Sequence, residues 1–448
     1  MNTDERLPVG LKFGWSIGAV GAVCMLVMVN VLIMYFMVNY LGIDPALAGA
    51  VVFATRLYDM FFDPAMGWLS DRVRTRWGRR RPWMLLAALI SGVAAVAAFN
   101  PPALEPTFAL PAYMFLILVL YFSGYTMFYI PFMAMPAEMT RDYDERTSIM
   151  SYRTFSSGAG GMVATALAPL LVAQLGRTRE AYATTGAIVA VIIVVAMIIS
   201  LLSTGGARHT EPTTVRYPAK EWIVSVFGNG PMMALLAAKL FIYFAVSIQA
   251  GLGLFFMTSA LHRGEPGQAL FGGLMNGVTL VAIPFWVRFV KGKVKQRMLI
   301  LATTIYAAAM FSWILATPEE STVIFVIRSS IVGVGYAGLV LMILSMLPDV
   351  IEHDFNRTGL RREGLLSAVF AFVEKLAYAF TPLVTGILLK LTGYVQGQGG
   401  TLAQPAEAVM GIRLGMALAP AGMALFGLLF LRFYHLDAAR LKAEARAE

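Results

Sequence analysis

Twelve apolar segments, each long enough to cross a bilayer as a helix, divide this chain of 448 residues almost from end to end. A helix rises about 1.5 Å per residue, so roughly 20 apolar residues cover the ~30 Å hydrocarbon core. Such segments fall near 13–41, 46–70, 83–100, 109–136, 150–174, 183–204, 232–257, 269–288, 298–316, 323–347, 364–392 and 409–434. Inside lipid there is no water to serve a loose N–H or C=O, so each span must satisfy its own backbone as a helix. The chain is therefore predicted to be an all-α membrane protein of twelve transmembrane helices. Its composition agrees: 58% of residues are hydrophobic and only 14% charged, too few charges for a soluble surface. The first apolar stretch has no small-residue cleavage pattern and reads as a retained span.

Basic residues orient the array. Arg72, Arg74, Arg76, Arg79, Arg80 and Arg81 follow the second span, and Arg288, Lys291, Lys293, Lys295 and Arg297 follow the eighth. The odd-numbered loops hold only Arg177, Arg179 and Arg263. The positive-inside rule then puts both termini in the cytoplasm of an inner (plasma) membrane protein. The net charge of +9 is thus a topology signal, open to anionic lipid and not to nucleic acid. The longest polar break, 205–231, lies halfway along, and the matching basic loops suggest an internal repeat. The expected organisation is a six-helix bundle over 1–204, a cytoplasmic middle loop over 205–231, a second six-helix bundle over 232–435 and a cytoplasmic tail over 436–448. One cysteine, Cys24, and four scattered histidines, His209, His262, His353 and His435, offer no metal-ligand spacing or nucleophile constellation. No enzyme chemistry and no cofactor are expected.

The charges inside the spans carry the functional signal, because each costs roughly 2.5–3.5 kcal/mol on insertion scales. Asp59 and Asp63 stand four apart, which places both carboxylates on one helix face, about 6 Å apart at their β-carbons. Arg56 shares that face, and Pro64 loosens the backbone beside it. Two carboxylates so placed form a hard oxygen site that can hold Na+ or share H+. The alternative is a neutralising cluster that only fixes packing. Lys375, in span 11, can reach across to the pair or sit beside Glu374, although neighbours on a helix point about 100° apart. Arg153 either snorkels or faces a cavity. Lys239 and Arg328 have no partner legible in the sequence, and Lys390 and Arg413 lie near span ends. Span 4 is aromatic-rich, with Tyr121, Tyr125, Phe128 and Tyr129, and its Thr126 supplies a hydroxyl that can complete a cation shell. The loops 138–146 and 349–363 interleave opposite charges at matching places in the two halves. Arg141, Asp142, Arg146, Arg361 and Glu363 are candidates for a cytoplasmic gate.

The run from Arg56 through Asp59, Asp63, Pro64 and Trp68, with Arg76-Trp77-Gly78-Arg79 and Pro82-Trp83, resembles the melibiose-permease-like glycoside–pentoside–hexuronide:cation symporters. Tyr129-Ile130-Pro131-Phe132, Pro136, Glu145-Arg146-Thr147, Leu347-Pro348-Asp349-Val350-Ile351-Glu352 and Arg362-Glu363-Gly364 extend the resemblance over nearly the whole chain. It implies a major facilitator fold with two pseudo-symmetric bundles and alternating access. Asp59 and Asp63 match the cation-site carboxylates, Thr126 the hydroxyl ligand, Lys375 the essential span 11 lysine, and Arg153 an arginine associated with the sugar site. Two positions depart: Val23 and Tyr129 stand where sugar-transporting members carry aspartates, so two hydroxyl acceptors are lost. Phe62 replaces a polar residue near the cation. The expected activity is cation-coupled symport of a small organic solute, a glycoside or related sugar. The alternative is an amphiphile such as a lysophospholipid or sterol-like compound. Membrane lipid is the other expected partner, and the chain is expected to act as a monomer.

Overall fold

A computed structural model describes residues 7–73, 75–103, 109–140, 143–205, 228–291, 293–359, 362–400 and 402–436. Twelve helices run through it. The first six are α1 (Val9–Asn39), α2 (Pro45–Arg72), α3 (Arg81–Phe99), α4 (Ala109–Met139), α5 (Tyr143–Met162 continued by Val163–Leu167 and Ala168–Gln174) and α6 (Arg179–Ser203). The second six are α7 (Gly230–Ser259), α8 (Gly264–Val290), α9 (Lys295–Leu315), α10 (Thr322–Thr358), α11 (Glu363–Leu391) and α12 (Ala406–Phe433). Eleven are apolar enough to span a bilayer on length and composition alone. The remaining one, α2, is long enough but carries Arg56, Asp59 and Asp63. Helix starts follow local chemistry: Asp44, Thr178, Asn229 and Ser321 cap α2, α6, α7 and α10 with side-chain oxygens on free N–H groups. Gly359 ends α10 in the left-handed conformation that favours glycine.

The two halves repeat one packing plan. In the first, α1 packs on α5 and α6, α3 on α4 and α6, and α2 on α4; in the second, α7 packs on α11 and α12, α9 on α10 and α12, and α8 on α10. The halves then exchange partners reciprocally, α2 with α11 and α5 with α8. Small residues allow the first of these contacts: a Cβ on Gly49 would lie 2.3 Å from the carbonyl oxygen of Pro382, and one on Gly386 2.3 Å from that of Pro45. Without a hydrophobic drive between helices in lipid, such close approach supplies the dispersion that joins them. Phe53 and Phe380 pack beside it, ring centroids 4.9 Å apart. α1 and α5 each contain one π turn, Val29–Ile33 and Val163–Leu167, a break in the regular ladder frequent at working sites.

Contacts between the halves gather on the face that carries the odd-numbered connections, opposite the termini. There the buried carboxylate of Glu265, in the first turn of α8, accepts from Tyr182 Oη at 3.3 Å and Tyr40 Oη at 3.5 Å. Arg177 Nε stands 3.3 Å from its other oxygen. Tyr394 donates to Asn39 at 2.8 Å, Tyr35 to Thr258 at 3.1 Å, and Lys390 lies 3.3 Å from Asp44. Toward the terminal face the described ion pairs stay within a half: Arg79 and Arg80 with Glu138, Lys12 with Glu145, Lys295 with Asp349. The odd-loop face is therefore the closed one. Gly386→Leu should force α2 and α11 apart there and lower stability by about 1–3 kcal/mol, which thermal unfolding of the purified protein in detergent would register.

Candidate functional site

The site forms where α2, α4 and α11 meet between the halves. Asp59 and Asp63 project from one face of α2, as their spacing requires. Thr126, on α4, places its hydroxyl oxygen 2.5 Å from Asp59 Oδ1 and 2.9 Å from Asp63 Oδ1. Lys375 crosses from the other half, its ammonium 3.0 Å from Asp59 Oδ2 and in direct contact with Asp63 Oδ2. A threonine hydroxyl has one proton to give. The second short contact at Thr126 therefore calls for a proton on a carboxylate or for a cation between the oxygens. Asp59 is almost wholly enclosed, with 3% of its side chain exposed, whereas Asp63, one turn nearer the terminal face, keeps 20%. The pair is graded from sealed interior toward solvent.

Arg56 does not form the direct pair with Asp59 that its spacing suggested. Side chains on a helix lean toward its N-terminus, so Arg56 leans away from a residue one turn further on. Its guanidinium donates to the carbonyl of Leu26 at 2.9 Å, just before the π turn of α1, and lies 4.3 Å above the Phe122 ring. It offsets the carboxylates by charge rather than by contact. Glu374, the neighbour of Lys375, turns to Lys239 on α7 at 3.0 Å. Lys239 is fully buried, donates to the carbonyl of Phe370 at 2.7 Å and lies 3.5 Å from the centroid of that ring. The sequence hid this partnership, because the two residues lie on separate helices and nothing local links them. Glu265 was missed similarly: it reads as a loop residue until the fold brings Tyr40, Tyr182 and Arg177 around it. Arg328, likewise unassigned from sequence, pairs with Glu320 at 2.7 Å.

A cavity of ≈ 90 Å³ is enclosed at the centre, its wall including Arg56, Asp59, Tyr125, Tyr129, Glu374 and Lys375. It has room for about three waters, and so for a cation with part of its hydration shell. The Tyr125 and Tyr129 rings stack with centroids 5.2 Å apart, and Arg153, on α5, donates to Tyr129 Oη at 3.1 Å. Val23 is half-buried on α1, one turn before Leu26, which is the α1 residue of the cavity wall. Of the gate candidates, Arg141, Asp142 and Arg361 lie outside the described residues, as do the side chains of Arg146 and Glu363.

Twelve helices in two repeated halves, joined over a buried ionic site between them, are the build of a membrane transporter that works by alternating access. The chain belongs to the MFS/sugar transport protein family, whose pattern it matches over residues 14–438. It is 24% identical over 444 residues to the isoprimeverose transporter of Lactiplantibacillus pentosus, covering 97% of this chain and 90% of that one. It is 25% identical over 449 residues to the sodium-dependent lysophosphatidylcholine symporter 1 of Mus musculus, covering 92% and 83%. Its fold superposes on the inward-facing, unoccupied crystal structure of a bacterial homologue of the human lysosomal transporter Spinster, with a TM-score of 0.68 at 13% identity, covering 97% of each chain. The protein is a membrane transporter and not an enzyme.

Removing Lys375 would leave two enclosed carboxylates with no direct counter-charge. Lys375→Ala should cost about 3 kcal/mol of stability, the scale for breaking a buried pair. Adding Asp63→Asn to it should restore a large part. Melting points of the single and double variants in sodium-free buffer check this coupling.

Proposed function

We propose that the chain is a cation-coupled symporter of a small organic solute, with Asp59, Asp63 and Thr126 as the cation site and Lys375 as its exchangeable counter-charge. One observation carries the reading: Lys375 and Thr126 both engage the same two carboxylates, and Lys375 does so from the opposite half. A cation binding those oxygens must displace the lysine or share them with it. Occupancy then alters the link between the halves, and that is how binding can bias which face opens. Arg56 supports the site as a fixed positive charge. Sodium and proton both suit the donor set, four carboxylate oxygens and one hydroxyl.

The halves 1–204 and 232–435 act as the rocking bodies and 205–231 as their cytoplasmic connection, with 436–448 as a cytoplasmic tail. The abundance of basic residues on the terminal face supports cytoplasmic termini in the inner membrane. In that orientation the closed odd-loop face is periplasmic and the described conformation faces inward. Closing the cytoplasmic face calls for charges from both halves, and Arg141, Asp142, Arg146, Arg361 and Glu363 are the proposed gate. The protein works as a monomer, since each chain carries both halves of its own site.

Tyr125, Tyr129, Arg153 and Val23 are the proposed solute contacts. The family and the isoprimeverose transporter favour a glycoside or related sugar. Val23 and Tyr129, which lack the carboxylates that would grip sugar hydroxyls, favour an amphiphile, and the lysophosphatidylcholine symporter points the same way.

Ligands of the folded state raise its melting point by mass action. Sodium, against choline, should stabilise the wild-type protein, while Asp59→Asn and Asp63→Asn should melt independently of sodium. In reconstituted vesicles both variants should lose cation-driven uptake. Sodium- or proton-driven uptake at the wild-type rate in both would remove the carboxylates from the mechanism.

A further inference from the structure

The charged side chains gathered around the central cavity do not balance. Arg56, Arg153, Lys239 and Lys375 face Asp59, Asp63 and Glu374, an excess of one positive charge. The excess can be traced to one residue. Lys375 is held by both aspartates, Lys239 by Glu374, and Arg56 is served by a carbonyl and an aromatic face. Arg153 has no carboxylate partner among the described residues. Its one polar contact is the bond from Nη2 to Tyr129 Oη at 3.1 Å, and its buried Nε–H donates to nothing. Arg153 thus stands behind the Tyr125–Tyr129 stack with its charge uncompensated at the edge of the cavity.

We infer that Arg153 selects for a solute bearing an oxyanion, a carboxylate or a phosphate. The inference rests on the symport reading above and narrows its substrate class. A guanidinium with unused donors is tolerable while water reaches it. A solute that fills the cavity displaces that water, so the solute itself must supply the acceptor. A planar guanidinium matches carboxylate or phosphate oxygens through paired N–H bonds, which a neutral hydroxyl cannot reproduce. The charge count agrees. A neutral solute entering with a monovalent cation would raise the excess to two, whereas a singly charged anion entering with the cation leaves it at one. The enclosed volume of ≈ 90 Å³ is too small for a whole solute, so the solute must extend from it past Tyr129, and Arg153 lies on that path.

The test uses the purified full chain in sodium buffer and two matched pairs of probes: methyl glucuronide against methyl glucoside, and lysophosphatidate against monoacylglycerol. In each pair the two members differ mainly in the anion. At least one anionic probe should raise the melting point, with an apparent affinity of the order of ten- to a hundred-fold above its neutral twin. Arg153→Gln should abolish that margin, and Arg153→Lys should keep part of it. A glucuronide response alone identifies a sugar acid; a lysophosphatidate response alone identifies a phosphate headgroup. Neutral twins that bind wild type as well as the anions, or a margin that survives in Arg153→Gln, would overturn the inference. A second measurement needs no ligand. Spin-label distances between the terminal-face ends of the two halves should shift toward the closed arrangement in Arg153→Gln, because closing no longer dehydrates a free charge. Unchanged distances, with no probe binding, would also overturn it. Repeating the probe series with Asp59→Asn separates the two ideas: loss of the anion margin follows Arg153, while loss of the sodium effect follows the cation site.

Discussion

Keeping charge inside a lipid-embedded interior is the constraint on which the rest of the molecule depends. A lone carboxylate or ammonium there is too costly to persist, so each must meet an opposite charge, a carbonyl, an aromatic face or water. The two aspartates of α2 meet Lys375 of α11, and that meeting decides where the halves touch. The helix carrying the aspartates is the one whose composition alone does not qualify it as a span. It becomes acceptable in the bilayer because its partner's lysine and the hydroxyl of Thr126 complete it.

The close approach of α2 and α11 at Gly49 and Gly386 works in the same direction. Small residues let the backbones touch on the odd-loop side, and the ionic contact lies deeper along the same pair of helices. One crossing therefore combines a tight seam with a site whose charge state can change. Glu265 and its three donors add a second clasp between α8 and the first half. The described ion pairs nearer the terminal face stay within one half, so little in them resists separation on that side. A carrier that must open one face at a time needs this asymmetry to be reversible, and ion pairs and hydrogen bonds exchange partners more readily than packed backbone.

Much of the site was legible from spacing. Asp59 and Asp63 at i and i+4 had to share a face, and an apolar run with two carboxylates in it signals a purpose. Lys375 was legible as a choice between two partners, since helix geometry disfavours Glu374 beside it. Arg56 shows where spacing misleads: sharing a face is not touching when a side chain leans the other way along the helix. Lys239 and Glu265 show where spacing is silent, because their partners come from helices distant in sequence.

By itself the sequence determined the number of helices, their all-α character, the halving of the chain and the residues that no bilayer interior would hold without cause. These follow from local quantities: hydropathy over about twenty residues, the placement of basic loops and the 3.6-residue turn. Only the tertiary structure decided which charges pair, which face is closed and which arginine is left over. Pairing across a half-interface depends on how two bundles dock, and docking is set by many weak contacts that no segment encodes alone. The uncompensated charge of Arg153 is a property of that docking, visible only once every other charge has found its partner.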